Sequence, residues 1–515
     1  MKTSNYTPSA DARHVHAVSL AWKILVCCIL ALFAGVFVWL NARIAMSFAP
    51  WIDDVVQIDA AVNLYLGKGW VSSGWYNQSQ YTFWAGNNPL YTLAVYCWIS
   101  IFGFSAVIVR SLNYVLVLLI AVIVVDASRR LKLVNALWTQ ILLGILIIFD
   151  QSVAFVYRSG RADLITLLVL ALLFWVYASV QSPVRRRTML FLCALPLLAS
   201  GIQAVPYVAL LFVLEYLLTR RLRMADVAPI AIGGVTGGLL MGAIFFLNHS
   251  LKAYIIATFA SSHTIIGSAA KTFIIRDKHS VGIFQDQMKD FSPIRATGYI
   301  VGEHSMMAIC CFLLFLLGIT LWSKGKLRLR QIALSGIIAA VLISYGMILT
   351  GHYSHYYQWM GAVPVFIIFA MSLEQCQIMR YRLVLLVGIL AGVSSIILGM
   401  PKELWQQWGQ SHFDEYKPVE QMLRQDTKAG DAIYGDHVFY YAARMQGFPF
   451  VSTTYATGLL YSRMTDEERT RITVMMVRPD EYAESVDKLG GRWEKIDSGK
   501  LPYGIEESVW RRATE

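Results

Sequence analysis

The sequence predicts a mainly α, polytopic membrane protein of about eleven transmembrane helices followed by a small soluble α/β domain. Three observations carry that expectation. The 515-residue chain is 57% hydrophobic, with a mean hydropathy of +0.52. Apolar runs near the ~20 residues needed to cross a bilayer recur as far as Met400. Lys and Arg gather in the short links between those runs, where they act as topology signals.

That clustering also decides what the net charge of +11 means. The basic residues belong to membrane links, so nucleic-acid binding is excluded. All seven cysteines lie at or before Cys376, mostly inside apolar runs, without the spacing of a metal site or a disulfide framework. The first apolar run lacks a small-residue cleavage site, and its length suits a retained signal anchor.

Lys2, Arg13 and Lys23 precede a first span over 22–46, so the N-terminus is expected in the cytoplasm and the polar, aromatic stretch 47–104 outside. Within that stretch, 89–102 is short and rich in Tyr and Trp, which suits a helix lying in the interface. The second span, 105–125, ends at Arg129, Arg130 and Lys132. Further spans are expected over 133–149, 164–178, 189–200, 205–218, 227–247, 304–322, 332–350, 360–373 and 383–400. The polar segment 150–163 and the loop 249–303 then face outward, and a break near Gly201 suits Pro206. In this arrangement every strong basic cluster falls on one side.

From Pro401 the composition becomes that of a soluble domain, giving a division into 1–400 and 401–515. Strands are expected at 432–434, 450–452 and 474–477, with helical patterns at 437–445 and 480–489, a small α/β unit on the outer side. It carries no phosphate loop or nucleophile elbow.

The candidate chemistry sits at the outer surface. Asp53 and Asp54 follow Phe48, Ala49 and Pro50, at the far interface of the first span, and Asp59 lies further along the segment. One acid could merely cap a helix. Two adjacent acids leading into ANLYLGKGW favour a base able to deprotonate an acceptor hydroxyl. Arg158 and Arg161 flank Ser159 and Gly160 ahead of Asp163; they could pair with that acid, or present fixed cations to a departing phosphate. In GHYSHYYQW, His352, His355, Tyr356 and Tyr357 form an aromatic belt or contact a phosphate or sugar. That His pair has no third metal ligand. Lys271, Arg276 and Lys278 read as a solvated or headgroup-binding face.

The acidic pair after the first span, then ANLYLGKGW, NNPLY, IFGFSAVIVRSLN and YRSGRAD, resembles the C-type (GT-C) integral-membrane glycosyltransferases over about the first 220 residues, with GHYSHYYQWMGAVPVF a weaker later match. The resemblance lies near the protein O-mannosyltransferases and the lipid A aminoarabinose transferases. It implies inverting transfer of a sugar from a polyprenyl-phosphate donor on the outer side of the membrane. It places the family's catalytic acid on Asp53, with Asp54 beside it, and the family's arginine and aspartate on Arg161 and Asp163. The chain departs from the aminoarabinose transferases at Asn87, Asn88 and the single Pro89, where those carry a lysine before a proline pair, and at Gln203, where a Lys-Gly pair is frequent. The lysine contact to the carrier phosphate is therefore not carried over.

The resulting expectation is a multi-pass glycosyltransferase of a bacterial inner (plasma) membrane. Asp53 and Asp54 are the catalytic pair. Arg158, Arg161, His352 and His355 would hold the donor phosphate, and Asp163, Asn88, Tyr356 and Tyr357 would contact substrate. Its partners are the bilayer, the polyprenyl-phosphate sugar, and a glycan, lipid or protein acceptor. No cofactor is implied, and whether a divalent cation joins Asp53 and Asp54 stays open. The alternatives are a transporter or flippase for a lipid-linked or small substrate, and a non-catalytic partner in envelope assembly.

Overall fold

The computed structural model describes residues 52–219, 224–259, 327–349, 359–378, 381–398, 416–457, 460–500 and 506–513, with isolated positions within 28–39 and 312–320 and at 401. The expected spans 22–46 and 304–322 and most of the outer loop 249–303 lie largely outside these residues, as do His352, His355, Tyr356 and Tyr357.

The chain is mostly helical, ending in a small sheet. Helix α1 (Ile52–Tyr65) carries the acids and α2 (Pro89–Phe102) coincides with the expected short helix. Then come α3 (Ala106–Arg130), α4 (Leu137–Phe149), α5 (Gln151–Arg158) and α6 (Asp163–Ser179). Ser105 starts α3 because its hydroxyl accepts from the Ile108 N–H, supplying one of the bonds a helix start lacks. Arg129 and Arg130 continue α3 instead of following it, each pairing with Asp126 at 2.6 Å.

The polar segment 150–163 is mostly filled by α5, started by Asp150, whose carboxylate accepts from the Val153 N–H. The span expected at 189–200 begins earlier, as α7 (Pro183–Ala194), so Arg185, Arg186 and Arg187 lie within a helix. Arg186 is fixed there by Asp226 at 2.9 Å. After the single turn α8 (Leu197–Ser200), the chain breaks at Gly201, whose φ of +145° suits glycine. Pro206 falls in the first turn of α9 (Ala204–Thr219), where a missing N–H costs nothing, so it does not make the break.

Helices α10 (Met224–Leu247) and α11 (Leu251–Phe259) follow, then α12 (Leu327–Leu349), α13 (Trp359–Ile378) and α14 (Arg382–Leu398). Helix α3 packs on α6, α10 on α7, and α13 on both α4 and α12. The α10 contact depends on glycine: a Cβ at Gly237 would come within 1.8 Å of the Leu195 carbonyl oxygen, so backbone lies against backbone. Among the described residues, α3 and α10 are long and apolar enough to cross a membrane, and five shorter apolar helices accompany them. Leu239 (70% exposed), Phe246 (68%) and Leu247 (75%) on α10 leave an apolar surface suited to hydrocarbon.

Beyond α15 (Tyr416–Asp426) come β1 (Ile433–Gly435), a 3-10 turn at His437–Phe439, α16 (Tyr440–Met445), β2 (Phe450–Ser452), α17 (Asp466–Arg471), β3 (Val474–Val477), α18 (Tyr482–Leu489), β4 (Trp493–Lys500) and β5 (Glu506–Arg512). The sheet order is β2-β1-β3-β5-β4. β1 pairs in parallel with β2 and β3, and all three are buried throughout, as strands covered on both faces must be. β3–β5 and β5–β4 are antiparallel; neither β4 nor β5 is among the expected strands. One buried apolar cluster runs from the helices around Val109 and Tyr157 into Val438, Phe439 and Val474. The sheet region is thus packed onto the helices.

Candidate active site

The 14-residue helix α1 carries three carboxylates, and each meets a different arginine from a different part of the chain. Asp53 pairs with Arg161 in the turn between α5 and α6. Asp54 meets Arg110 of α3 at 3.2 Å, and Asp59 meets Arg444 of α16 at 2.8 Å. Their exposures separate their roles: the Asp53 side chain is 38% exposed, whereas Asp54 and Asp59 are fully buried.

Arg161 is shared. Its Nη1 donates to Asp53 and its Nε to Asp163 at 2.7 Å, and Asp163 also accepts from Gln203 at 3.2 Å. The Arg161 backbone is held too, by the Asn113 amide, which donates to its carbonyl at 3.0 Å. Gly160 makes the turn possible. It has φ +68°, and a Cβ there would lie 2.4 Å from Asp54 Oδ1. The Tyr91 hydroxyl donates to its carbonyl at 2.8 Å. The expected set Asp53, Asp54, Arg161 and Asp163 is therefore brought together. Arg158 ends α5 and is buried. Asn88 is buried just ahead of α2, with its amide turned to donate to the Ser200 and Asn87 carbonyls at 3.1 Å each.

Asp54 also accepts from the Tyr441 hydroxyl at 2.8 Å, across 387 positions of sequence. Burial raises the Asp54 carboxyl above its ordinary value, and Arg110 and Tyr441 offset part of that. At Asp59, burial pushes in the same direction but is outweighed by Arg444 and by the Tyr440 and Ser72 hydroxyls, so its carboxyl is held below the ordinary value. Asp59 Oδ1 accepts from Tyr440 at 2.7 Å, while Oδ2 takes the Ser73 and Gly74 N–H groups at 2.6 and 3.1 Å. Arg444 reaches Asn63 and Ser73 as well, at 3.0 Å each.

Arg110, Tyr440, Tyr441 and Arg444 are the site residues that sequence reasoning missed. Arg110 had a usable signal, an ionisable group inside an apolar helix. For the α16 residues the signal was weaker: Tyr440 and Arg444 are four apart and so share a helix face. Among the described residues no group of three or more His, Cys, Asp or Glu converges as a metal site. Beside Asp53 and Asp54 stand guanidinium groups, which already balance the carboxylate charge.

Fold and site together define a helical protein with large lipid-suited surfaces whose acid and arginine cluster is closed by a C-terminal sheet region. No family model matches the sequence, and no curated protein matches it. Among solved structures the chain is similar to the crystal structure of ArnT from Cupriavidus metallidurans in the apo state, with a TM-score of 0.48 and 14% identity over 94% of this chain and 98% of that one. It is also similar to ArnT from the same organism bound to undecaprenyl phosphate, with a TM-score of 0.45 and 15% identity over the same shares, 94% and 98%. A third similar structure is the Archaeoglobus fulgidus oligosaccharyltransferase tethered with an acceptor peptide, with a TM-score of 0.40 and 11% identity over 93% of this chain and 74% of that one.

Proposed function

We propose that the chain is an inverting glycosyltransferase of the C-type membrane class, moving a sugar from a polyprenyl-phosphate carrier to a glycan, lipid or protein acceptor. One observation carries the reading. Of the three carboxylates on α1, Asp53 alone keeps a partly exposed side chain, and it shares Arg161 with Asp163. A base must be reachable by the proton it takes.

In the proposed reaction Asp53 accepts the acceptor O–H proton as that oxygen bonds to the sugar C1 from the face opposite the phosphate. The C1–O bond to phosphate breaks and its electron pair stays on the carrier phosphate, which gains charge. Arg161, with Arg158 at the end of α5, would stabilise that charge, the role for which a guanidinium fork is suited. Base catalysis of this kind contributes about 100- to 10,000-fold. His352 and His355 would add to the phosphate side, and Asp163, Asn88, Tyr356 and Tyr357 to substrate contacts. No step is routed through a divalent cation.

In this reading residues 1–400 form a multi-pass transferase unit in the inner membrane, with the N-terminus cytoplasmic, and 401–515 lie on the outer side over the site. The test is sugar transfer in membranes containing the chain, using a panel of sugars on undecaprenyl phosphate. Transfer that releases the bare carrier phosphate supports the proposal. Movement of the lipid-linked sugar across the membrane without transfer favours a flippase instead.

A further inference from the structure

The three α1 carboxylates are not equivalent in what lies behind them. Asp53 is partly exposed, while Asp54 and Asp59 are buried and each receives a partner from α16. Tyr440 and Tyr441 are consecutive, and their hydroxyls reach two different acids of one helix, Asp59 at 2.7 Å and Asp54 at 2.8 Å. Both rings are fully buried, in edge contact 5.5 Å apart. Arg444 closes the set from the next turn, so α16 holds α1 at two points about one and a half turns apart along it.

Asp54 is in turn packed against the turn that carries Arg161. Its Oδ1 occupies the space that any Cβ at Gly160 would need, and the Arg161 N–H is bonded to the Val156 carbonyl at 3.2 Å within that turn. A physical chain therefore runs from Tyr441 through Asp54 and the 159–161 turn to Arg161 and Asp53. The links are hydrogen bonds and ion pairs, except that between Asp54 and Gly160, where the acid fills the space a Cβ would take.

We propose that Tyr441 and Arg444 are positioning residues, and that the C-terminal unit is a working part of the site whose α16 sets Asp54 against the 159–161 turn and so aims Arg161 at Asp53. The kinetic part of this inference rests on the transferase reading; the structural part does not. A unit that only covered the site would need no buried polar contact with the acid helix. Here three buried side chains of α16 converge on it, each with a hydrogen bond to an α1 carboxylate, and such buried polar contacts are costly to break.

The test compares Tyr441→Phe with Tyr455→Phe in the full chain. Tyr455 also joins the two parts of the chain, its hydroxyl accepting from the Gln80 N–H at 2.7 Å and donating to Glu468 at 2.6 Å, without touching α1 acids. In Tyr441→Phe the amide hydrogens of residues 159–161 are expected to exchange at least about tenfold faster, and kcat for sugar transfer to fall about tenfold with KM unchanged. Tyr455→Phe is expected to leave both at wild-type values. Should Tyr441→Phe fail to fold, Arg444→Lys, which keeps the charge but shortens its reach, is read by the same exchange. Equal exchange at 159–161 in the Tyr441 and Tyr455 variants overturns the inference. Absence of transfer by wild type with every donor would count against the transferase reading alone, because the exchange comparison still decides whether α16 positions the turn.

Discussion

Gly160→Ala is the sharpest single perturbation of the site. A side chain at φ +68° costs about 1–2 kcal/mol before any contact is considered. The added Cβ would also stand 2.4 Å from Asp54 Oδ1 and 2.6 Å from its Cγ, against the ~3.5 Å of ordinary contact, so Asp54 or the turn must move by roughly 1 Å. Asp54 cannot move freely, since Arg110 holds it at 3.2 Å and Tyr441 at 2.8 Å. Losing one such charged hydrogen bond costs about 1.5–3 kcal/mol, giving a total of about 2.5–5 kcal/mol. If the turn moves instead, Arg161 moves with it, and a 1 Å misplacement near reacting atoms can cost ~100-fold in rate. The control is Gly67→Ala, at φ +76° with no atom within 4 Å of the new Cβ, which carries only the backbone penalty. Thermal unfolding in detergent and sugar transfer by both variants separate the two contributions. A Gly160→Ala protein as stable and as active as Gly67→Ala would refute the packing of Asp54 against the turn.

Arg110→Met strands a buried Asp54 charge and is expected to destabilise by about 3–5 kcal/mol, much of it recovered by adding Asp54→Asn, as thermal unfolding of the single and double variants would measure. Asp59, with its carboxyl held below the ordinary value, contributes stability above its unfolded value near 3.9, lost as pH falls through the lower folded value. Asp59→Asn is therefore expected to be less stable than wild type at pH 7 and to show a flatter acid limb below about pH 4. Glu507 behaves in the opposite sense. Burial, with help from Asp436 and Glu481, pushes its carboxyl up to about 9, so the fold is favoured at low pH and loses stability as pH rises from the unfolded value toward that figure. Glu507→Gln is expected to raise the melting temperature at pH 8 and remove that slope; an unchanged melting curve contradicts the assignment.

Much of the site's membrane side was legible because its residues sit at the edges of apolar runs. Asp53 and Asp54 follow one such run and Asp163 opens another, and both edges meet in the structure through Arg161. The three strands β1, β2 and β3 were legible too, as short buried runs, each within one residue of its expected place. β4 was not, because Trp493–Lys500 is a largely exposed edge strand with mixed polarity and no apolar run to mark it. Helix ends escaped where charged residues continue a helix, as Arg129 and Arg130 do in pairing back to Asp126. The α16 contacts were hidden for a different reason. Tyr441 and Asp54 are 387 positions apart, and nothing in either segment's periodicity names the other. Asp59 illustrates the cost: its place in the segment was visible, but its role depends on Arg444, Tyr440 and Ser73, which only the fold assembles.

The central claim is that Asp53 is the base of a sugar transfer, and Asp53→Asn tests it most directly. The variant keeps the side-chain shape and the contact with Arg161 while removing a proton acceptor. Transfer from a polyprenyl-phosphate sugar, measured in membranes with the detergent-extracted yield matched to wild type, is expected to fall by about 100-fold or more. Wild-type transfer by Asp53→Asn at equal yield would contradict the claim and move the search for the base to Asp163.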